Sequence, residues 1–364
     1  MIPASLYQTI YLFVVSIISI VIYMKYQNRN GGLYYNHRST DLFAFILMLC
    51  LIIFIGLRPV SGKYFVDMAN YVIYYNALLD GAKFSFTTAT DNIIFDNLFA
   101  WWGSVGLGYT SFFFFIAVMY FGATYLGIRK LFPDNTLAAY LVFLAAFSTF
   151  SYATNGIKAG AAASLFILAL GYRDNLNVCI PLVLLSWGFH HSMIMVVAAF
   201  VVTLFVKNPK VYFIGWVFCF FMAAAHVSVF AEFFSGFTTE HGAGYLLSEG
   251  SDDGTKGGFR IDFILYSAVP VVVGWYAVFK KKMQLSNLYK NLLNLYLCLN
   301  GIWMLCMYAA FTNRIAYLSW FLYPIVLVYP FLQEEWGKNR YRTFSMVMLG
   351  HLGFTLFMSI VYYG

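Results

Sequence analysis

Apolar runs long enough to cross a bilayer recur along nearly the whole of this chain. A helix needs about 20 apolar residues to span the hydrocarbon core, and about twelve runs approach that length. They cover residues 5–26, 42–60, 108–128, 136–154, 157–172, 175–189, 191–206, 211–231, 261–279, 286–310, 315–333 and 343–362. The chain is 62% hydrophobic, with a mean hydropathy of +0.74 and only 10% charged residues. Soluble domains carry roughly 25% charge. The pattern predicts an all-α polytopic membrane protein of about twelve transmembrane helices, a single membrane domain over residues 1–364 with no sizeable soluble part. The first run lacks a basic lead-in and a small-residue cleavage site, so it reads as an uncleaved anchor. The run at 157–172 is rich in Gly and Ala, and 175–189 meets 191–206 at a bare His-His turn. Each of these is a full span or a short, re-entrant piece.

Charge sets the orientation. With the N-terminus outside, all but seven of the 22 Lys and Arg residues fall in inner loops or inner span ends. The acidic residues run the other way, with only Asp41, Asp134, Asp174, Glu334 and Glu335 inside. Basic residues stay cytoplasmic, so this bias places both termini on the outer side. The seven outer cations are Arg58, Lys63, Lys83, Lys158, Lys256, Arg260 and Arg314. Lys63, Lys83 and Lys256 lie in loops among acidic residues and need no special role. Arg58, Lys158, Arg260 and Arg314 sit at the mouths of apolar runs, where an anionic ligand would account for them.

Two outer segments are long, about 59–107 and 232–260. In the first, NIIFDNLFAWW (92–102) reads as an amphipathic interfacial helix with aromatics at headgroup depth. In the second, SEGSDDGTKGG reads as a mobile loop over a site. All five cysteines lie in apolar runs, so no disulfide is expected, and no spacing suggests a metal or other cofactor. The absence of a Walker loop, GxGxxG or HExxH argues against an ATP-driven transporter or a zinc protease. The net charge of +7 is accounted for by orientation, not by nucleic acid.

Five clusters can carry chemistry. In GLRPVSGKYFVDMANYVIYYN (56–76), Asp67, Tyr71 and Tyr75 recur every four residues and would share a helix face. A carboxylate beside tyrosines suits sugar hydroxyls or a general base; alternatively Arg58 anchors a helix end and Asp67 is a solvated loop residue. In YATNGIKAGAAASLFILALG (152–171), Lys158 opens a helix whose small residues let a ligand reach backbone N–H groups, or it snorkels above a packing seam. WGFHHSMI (187–194) puts His190 and His191 between apolar runs, suited to a base, phosphate partner or hydroxyl donor. In GFRIDF (258–263), Arg260 and Asp262 are phosphate-facing or locally paired. In FTNRIAYLSW (311–320), Arg314 opens a run with Tyr317 three residues on and on a similar face. His226, His241 and His351 have no evident partners in the sequence and read as structural.

In this order the clusters resemble the EpsG-like branch of the Wzy-type polysaccharide polymerases. The matching motifs are GLR at 56–58 with Asp67 and Tyr71, NGIK at 155–158, FHHS at 189–192, and Arg314 with Tyr317. The resemblance covers about residues 56–320. Lys158 stands where the family usually has arginine; the charge is kept and the bidentate fork is lost. The resemblance implies a GT-C-like membrane glycosyltransferase in a bacterial inner membrane, acting at its outer face on undecaprenyl diphosphate-linked oligosaccharides. A chain-length regulator and a flippase are the partners expected on the same ground. Arg58, Lys158, Arg260 and Arg314 would clamp the diphosphate, with Tyr71 and Tyr317 at the substrate. His190 or Asp67 would take the proton, with His191 as a third candidate. His190 is preferred because apolar spans frame it and can tune its pKa. A glycan ligase of related fold and a lipid-linked oligosaccharide flippase or transporter are the alternatives. A membrane acyltransferase is disfavoured, since its usual His-Asp pattern is missing.

Overall fold

The computed structural model describes residues 2–27, 37–79, 84–227, 229–235, 244 and 258–362. Lys83, Lys256, His241 and nearly all of the SEGSDDGTKGG segment lie outside them. Among the described residues the structure is helical, with a single isolated bridge between Ser61 and Phe65. Five helical runs are long and apolar enough to cross a membrane: Ala4–Gln27, Tyr109–Leu131, Ile261–Lys280, Thr312–Leu332, which is two helices joined by a turn at 321–322, and Arg340–Val361. Five shorter apolar helices join them: Thr40–Gly56, Ile157–Gly171, Leu176–Phe189, Met193–Phe205 and Pro209–Ala224.

The chain divides into two compact units, Met1–His191 with Lys338–Gly364, and Ser192–Gly337. The first contains α1 (Tyr7–Gln27), α2 (His37–Gly56), α3 (Val66–Leu79), α4 (Ile93–Ser104), α5 (Tyr109–Leu131), α6 (Thr136–Leu144), α7 (Thr149–Thr154), α8 (Ile157–Gly171) and α9 (Leu176–Phe189). The second contains α10 (Met193–Phe205), α11 (Pro209–Ala224), α12 (Val229–Ser235), α13 (Ile261–Lys280), α14 (Asn287–Leu305), α15 (Thr312–Trp320) and α16 (Tyr323–Leu332). Helix α17 (Arg340–Val361) returns to the first unit.

Local chemistry sets the boundaries. α2 stops just before Arg58-Pro59, since a residue preceding proline is driven out of the helical region. α11 opens with Pro209 in its first turn and the Asn208 side chain accepting the Lys210 N–H at 3.1 Å. Ser286 caps α14 by accepting the Tyr289 N–H at 3.1 Å. α5 crosses α8 closely at Gly127, where a Cβ would sit 2.8 Å from the Ile167 backbone.

Each unit is built round a helix that is apolar on every side and wholly buried, as such helices are. In the first it is α6, all of whose residues are buried. The run predicted at 136–154 is therefore two short helices, α6 and α7, parted by a turn. The backbone at that break is satisfied from outside it. Tyr11 of α1 donates to Leu144 O at 2.6 Å, and Thr355 of α17 donates to Ala145 O at 2.7 Å. In the second unit it is α16. Polar ties between apolar helices surround it, as expected where water cannot compete. Tyr296 donates to Ser267 O at 2.8 Å, Trp320 Nε1 to Ser267 Oγ at 2.8 Å, and Asn300 Nδ2 to Ser319 Oγ at 3.1 Å.

The first unit has two chemically distinct ends. At one, Gln27 reaches Ser345 at 3.2 Å, the Tyr26 ring lies 5.4 Å from Tyr341, and the Lys130 ammonium sits 4.9 Å over Tyr172. These contacts gather residues that the charge bias puts on one side. The opposite end gathers Arg58, the α4 N-terminus, the NGIK turn and the His-His turn, and it holds the first candidate site.

Candidate functional site

Helix α4 organises the first unit's outer-predicted end. The segment before it is pinned back by Asn97, which accepts from Thr87 N at 2.9 Å and donates to Thr87 O and Ile93 O at 2.7 Å. Phe95 and Phe99 are buried against Tyr71 of α3, Phe112 of α5 and, for Phe95, Phe189 of α9. The segment read as an interfacial helix does form a helix, but this aromatic face packs into protein. Trp101 is exposed.

Lys158 lies at the second residue of α8, where the helix dipole disfavours a cation. Its ammonium is 2.6 Å from Asp96 Oδ1 and 4.8 Å over the Phe95 ring, with Tyr71 at 5.6 Å. Asp96 Oδ2 accepts from the Thr90 hydroxyl. The anion at Lys158 is thus the protein's own carboxylate. One ammonium donor is used, and a lysine has three. Both side chains keep about a quarter of their surface open, 23% and 29%.

One helical turn before Asp96, Asn92 occupies the N-cap position of α4. Its side chain does not cap the helix; Oδ1 accepts the His191 N–H at 3.1 Å. The His191 ring lies 6.0 Å from that of His190. His191 Nε2 is buried and has no hydrogen-bond partner. Burial holds this imidazole below its ordinary pKa, opposed by the charge of Asp91. The turn is held close because Gly188 abuts Ile94 with no room for a Cβ.

Arg58 is buried at 3% exposure. It donates through one terminal nitrogen to Ile55 O at 2.9 Å and through the other to Thr154 O at 3.0 Å. Its guanidinium lies 5.6 Å from the Phe65 ring centroid and 5.4 Å from that of Phe113. Burial lowers its pKa to about 10, opposed by Tyr7, so it remains charged at neutral pH. Two of its five N–H donors go to these carbonyls, and its buried Nε has no partner. The two bonds tie the end of α2 to the end of α7 just before the NGIK turn. Asp67 lies half-buried in the first turn of α3.

The second unit holds the other two cations. Arg260 pairs with Asp262 through two bonds, 2.9 and 2.5 Å, and lies 3.7 Å over Phe263. Arg314 is exposed, with its guanidinium 4.7 Å from the Phe311 ring and without a hydrogen bond or ion pair to a described residue. Its backbone N–H bonds to the carbonyl of Phe311 at 2.8 Å, a cap residue held at φ 54°. A left-handed aromatic is a genuine backbone outlier. Tyr317 is buried at 2% and belongs to the core face, away from the exposure of Arg314.

The structure therefore brings Lys158, Tyr71, His190 and His191 round one helix. Asp96, Asn92 and Asp91 are site residues that sequence reasoning missed. A carboxylate inside an apolar helix was the available signal for Asp96. The family profile of EpsG matches residues 41–363. The chain belongs to the EpsG family. Membership carries a polysaccharide polymerase-like role in the membrane. No curated protein and no solved structure gives a significant match to this EpsG-family chain.

Proposed function

We propose that the protein elongates a polysaccharide at the outer face of a bacterial inner membrane. It transfers a glycan from undecaprenyl diphosphate to the free sugar end of a second lipid-linked unit. The helices long enough to cross, the shorter apolar ones, the α6–α7 pair and α14 are read as twelve crossings with both termini outside.

The observation that carries this reading is the arrangement on α4: Asp96 holds a partly open ammonium and, one turn earlier, Asn92 holds the backbone of His191, whose buried imidazole has a bare nitrogen. In the reaction the acceptor hydroxyl oxygen bonds to the anomeric carbon. The bond from that carbon to the diphosphate oxygen breaks, and the lipid diphosphate leaves with the electron pair. Lys158 stabilises the charge that develops on it, using the donors that Asp96 leaves free. We assign the hydroxyl proton to His191, whose neutral ring can accept at Nε2, in preference to His190 beside it or Asp67. Arg58 acts as a positioning residue for the Lys158 turn, and Tyr71 supports the site through its ring. Arg314 offers an exposed, unpaired cation of its own to a phosphate. Arg260, engaged with Asp262, is the weakest of the four as an anion ligand.

The test is polymer laddering in cells at matched protein abundance. Lys158→Ala and His191→Ala should abolish long polymer while single repeat units still reach the final acceptor. Normal laddering in both variants would overturn the reading. Accumulation of lipid-linked units on the cytoplasmic side would instead identify a flippase.

A further inference from the structure

A groove of about 360 Å³ runs between α1 and α17 in the first unit. Its volume falls in the range of about 300–1,000 Å³ typical of small-molecule sites. α1 and α17 are the least buried of the spanning helices, 33% and 39%, so the groove lies on lipid-accessible elements. Its lining is graded along the helix axes. Ser5, Gln8 and Thr9 come from the first turns of the N-terminal helical run and meet Ser359 near the end of α17. One to two turns deeper are Leu12 and Phe13, with Leu356 opposite. Ser16 turns its hydroxyl back to Leu12 O at 2.7 Å, so it offers no free donor to the depth of the groove. Ala4 and Ile360 share the outer end with these polar side chains, and Phe65 and Phe150 complete the wall. Hydroxyls and an amide gathered at one end, above an apolar depth, fit an amphiphile with its headgroup toward the candidate site.

The inner wall connects the groove to that site. Phe65 lines the groove and lies under the Arg58 guanidinium. The carbonyl of Tyr64, its neighbour in the wall, accepts from Asn155 of the NGIK turn at 3.5 Å. α1 lies outside the residues that the family profile matches, so family membership does not assign this groove.

We infer that the groove holds the first isoprenoid units of the diphosphate lipid, with the headgroup directed to the Arg58–Lys158 end. This rests on the reading of the protein as acting on lipid diphosphates. The experiment uses the full chain in phospholipid vesicles and a polyprenyl diphosphate carrying a photoreactive diazirine in its chain. Label is expected in residues 4–16 and 356–360. Thr9→Trp, with Ser359→Trp as a second filling variant, should remove the label. Either variant should raise the KM for the diphosphate donor about tenfold, the effect of losing roughly two buried methylenes, with kcat retained. Ile17→Trp, on exposed surface of α1, should change neither. Equal competition by excess phosphatidylglycerol would overturn the inference by marking an ordinary lipid annulus. So would label elsewhere together with normal elongation, and that result would leave the function standing. Label in the groove without elongation of lipid-linked units would overturn the function and leave the groove standing.

Discussion

At the scale of single residues the site is a matter of which groups are already spoken for. Arg58 and Lys158 look alike in the sequence, each a cation at the mouth of an apolar run. Their partners separate them. Arg58 gives both terminal nitrogens to carbonyls, whereas Lys158 gives one bond to Asp96. Lys158→Arg should therefore retain polymer length, since charge and donors persist, while Lys158→Ala should lower the rate at least about tenfold. Initial rates on a lipid-linked substrate check both. The imidazole of His191 sits below the usual value of 6.5, so it stays neutral to lower pH than a free histidine. A base must be unprotonated, so the rate should rise with pH along an acid limb centred below about pH 6.5. Asp91 opposes the burial effect. Asp91→Asn should therefore move that limb to still lower pH, which a pH–rate profile of the two proteins would show. None of these partners was readable in advance, because burial and long-range pairing depend on where α4 lands. The residue types at the mouths were readable, because the cost of charge in lipid makes every ionisable group conspicuous.

At the scale of elements, α4 and α9 set the geometry. Gly188 lets α9 lie against Ile94, and this close approach delivers the His-His turn to Asn92. Gly188→Ala should cost about 1–3 kcal/mol through overpacking, and Ile94→Ala should restore much of it. Thermal melting in detergent would measure the pair of variants, and polymer laddering should follow the same order. Most element boundaries were legible, since apolar length and proline position dictate them. The break at 145–148 was not: its sequence is Ala-Ala-Phe-Ser, with no proline or glycine to mark a turn, and the turn is made possible by side chains from α1 and α17. The helix at 93–104 was legible as a helix, but not the partners of its aromatic face. An amphipathic pattern specifies an apolar neighbour without saying whether it is lipid or protein.

At the scale of the whole molecule the chain forms two units, and each carries two of the four cations singled out by charge bias. The sequence shows no linker where the first unit ends at His191, because both sides of that boundary are apolar helices. Sidedness can be measured directly. In a cysteine-free background, Ser61→Cys should react with an impermeant maleimide in intact cells and Lys338→Cys should not. Reaction at Lys338→Cys alone would invert the proposed topology. The first unit also places a condition on its own biogenesis. α6, at about 1.5 Å per residue, is under half the length needed to cross about 30 Å of hydrocarbon. The carbonyl of Ala145 at its broken end meets its side-chain donor, Thr355, only when α17 arrives. Until then a polar backbone group within an apolar run lacks this partner, and irregular backbone is tolerated at such depth only when protein encloses it. The first unit thus cannot close behind the ribosome as it emerges. It must wait, with the whole second unit already made, for the segment that completes it.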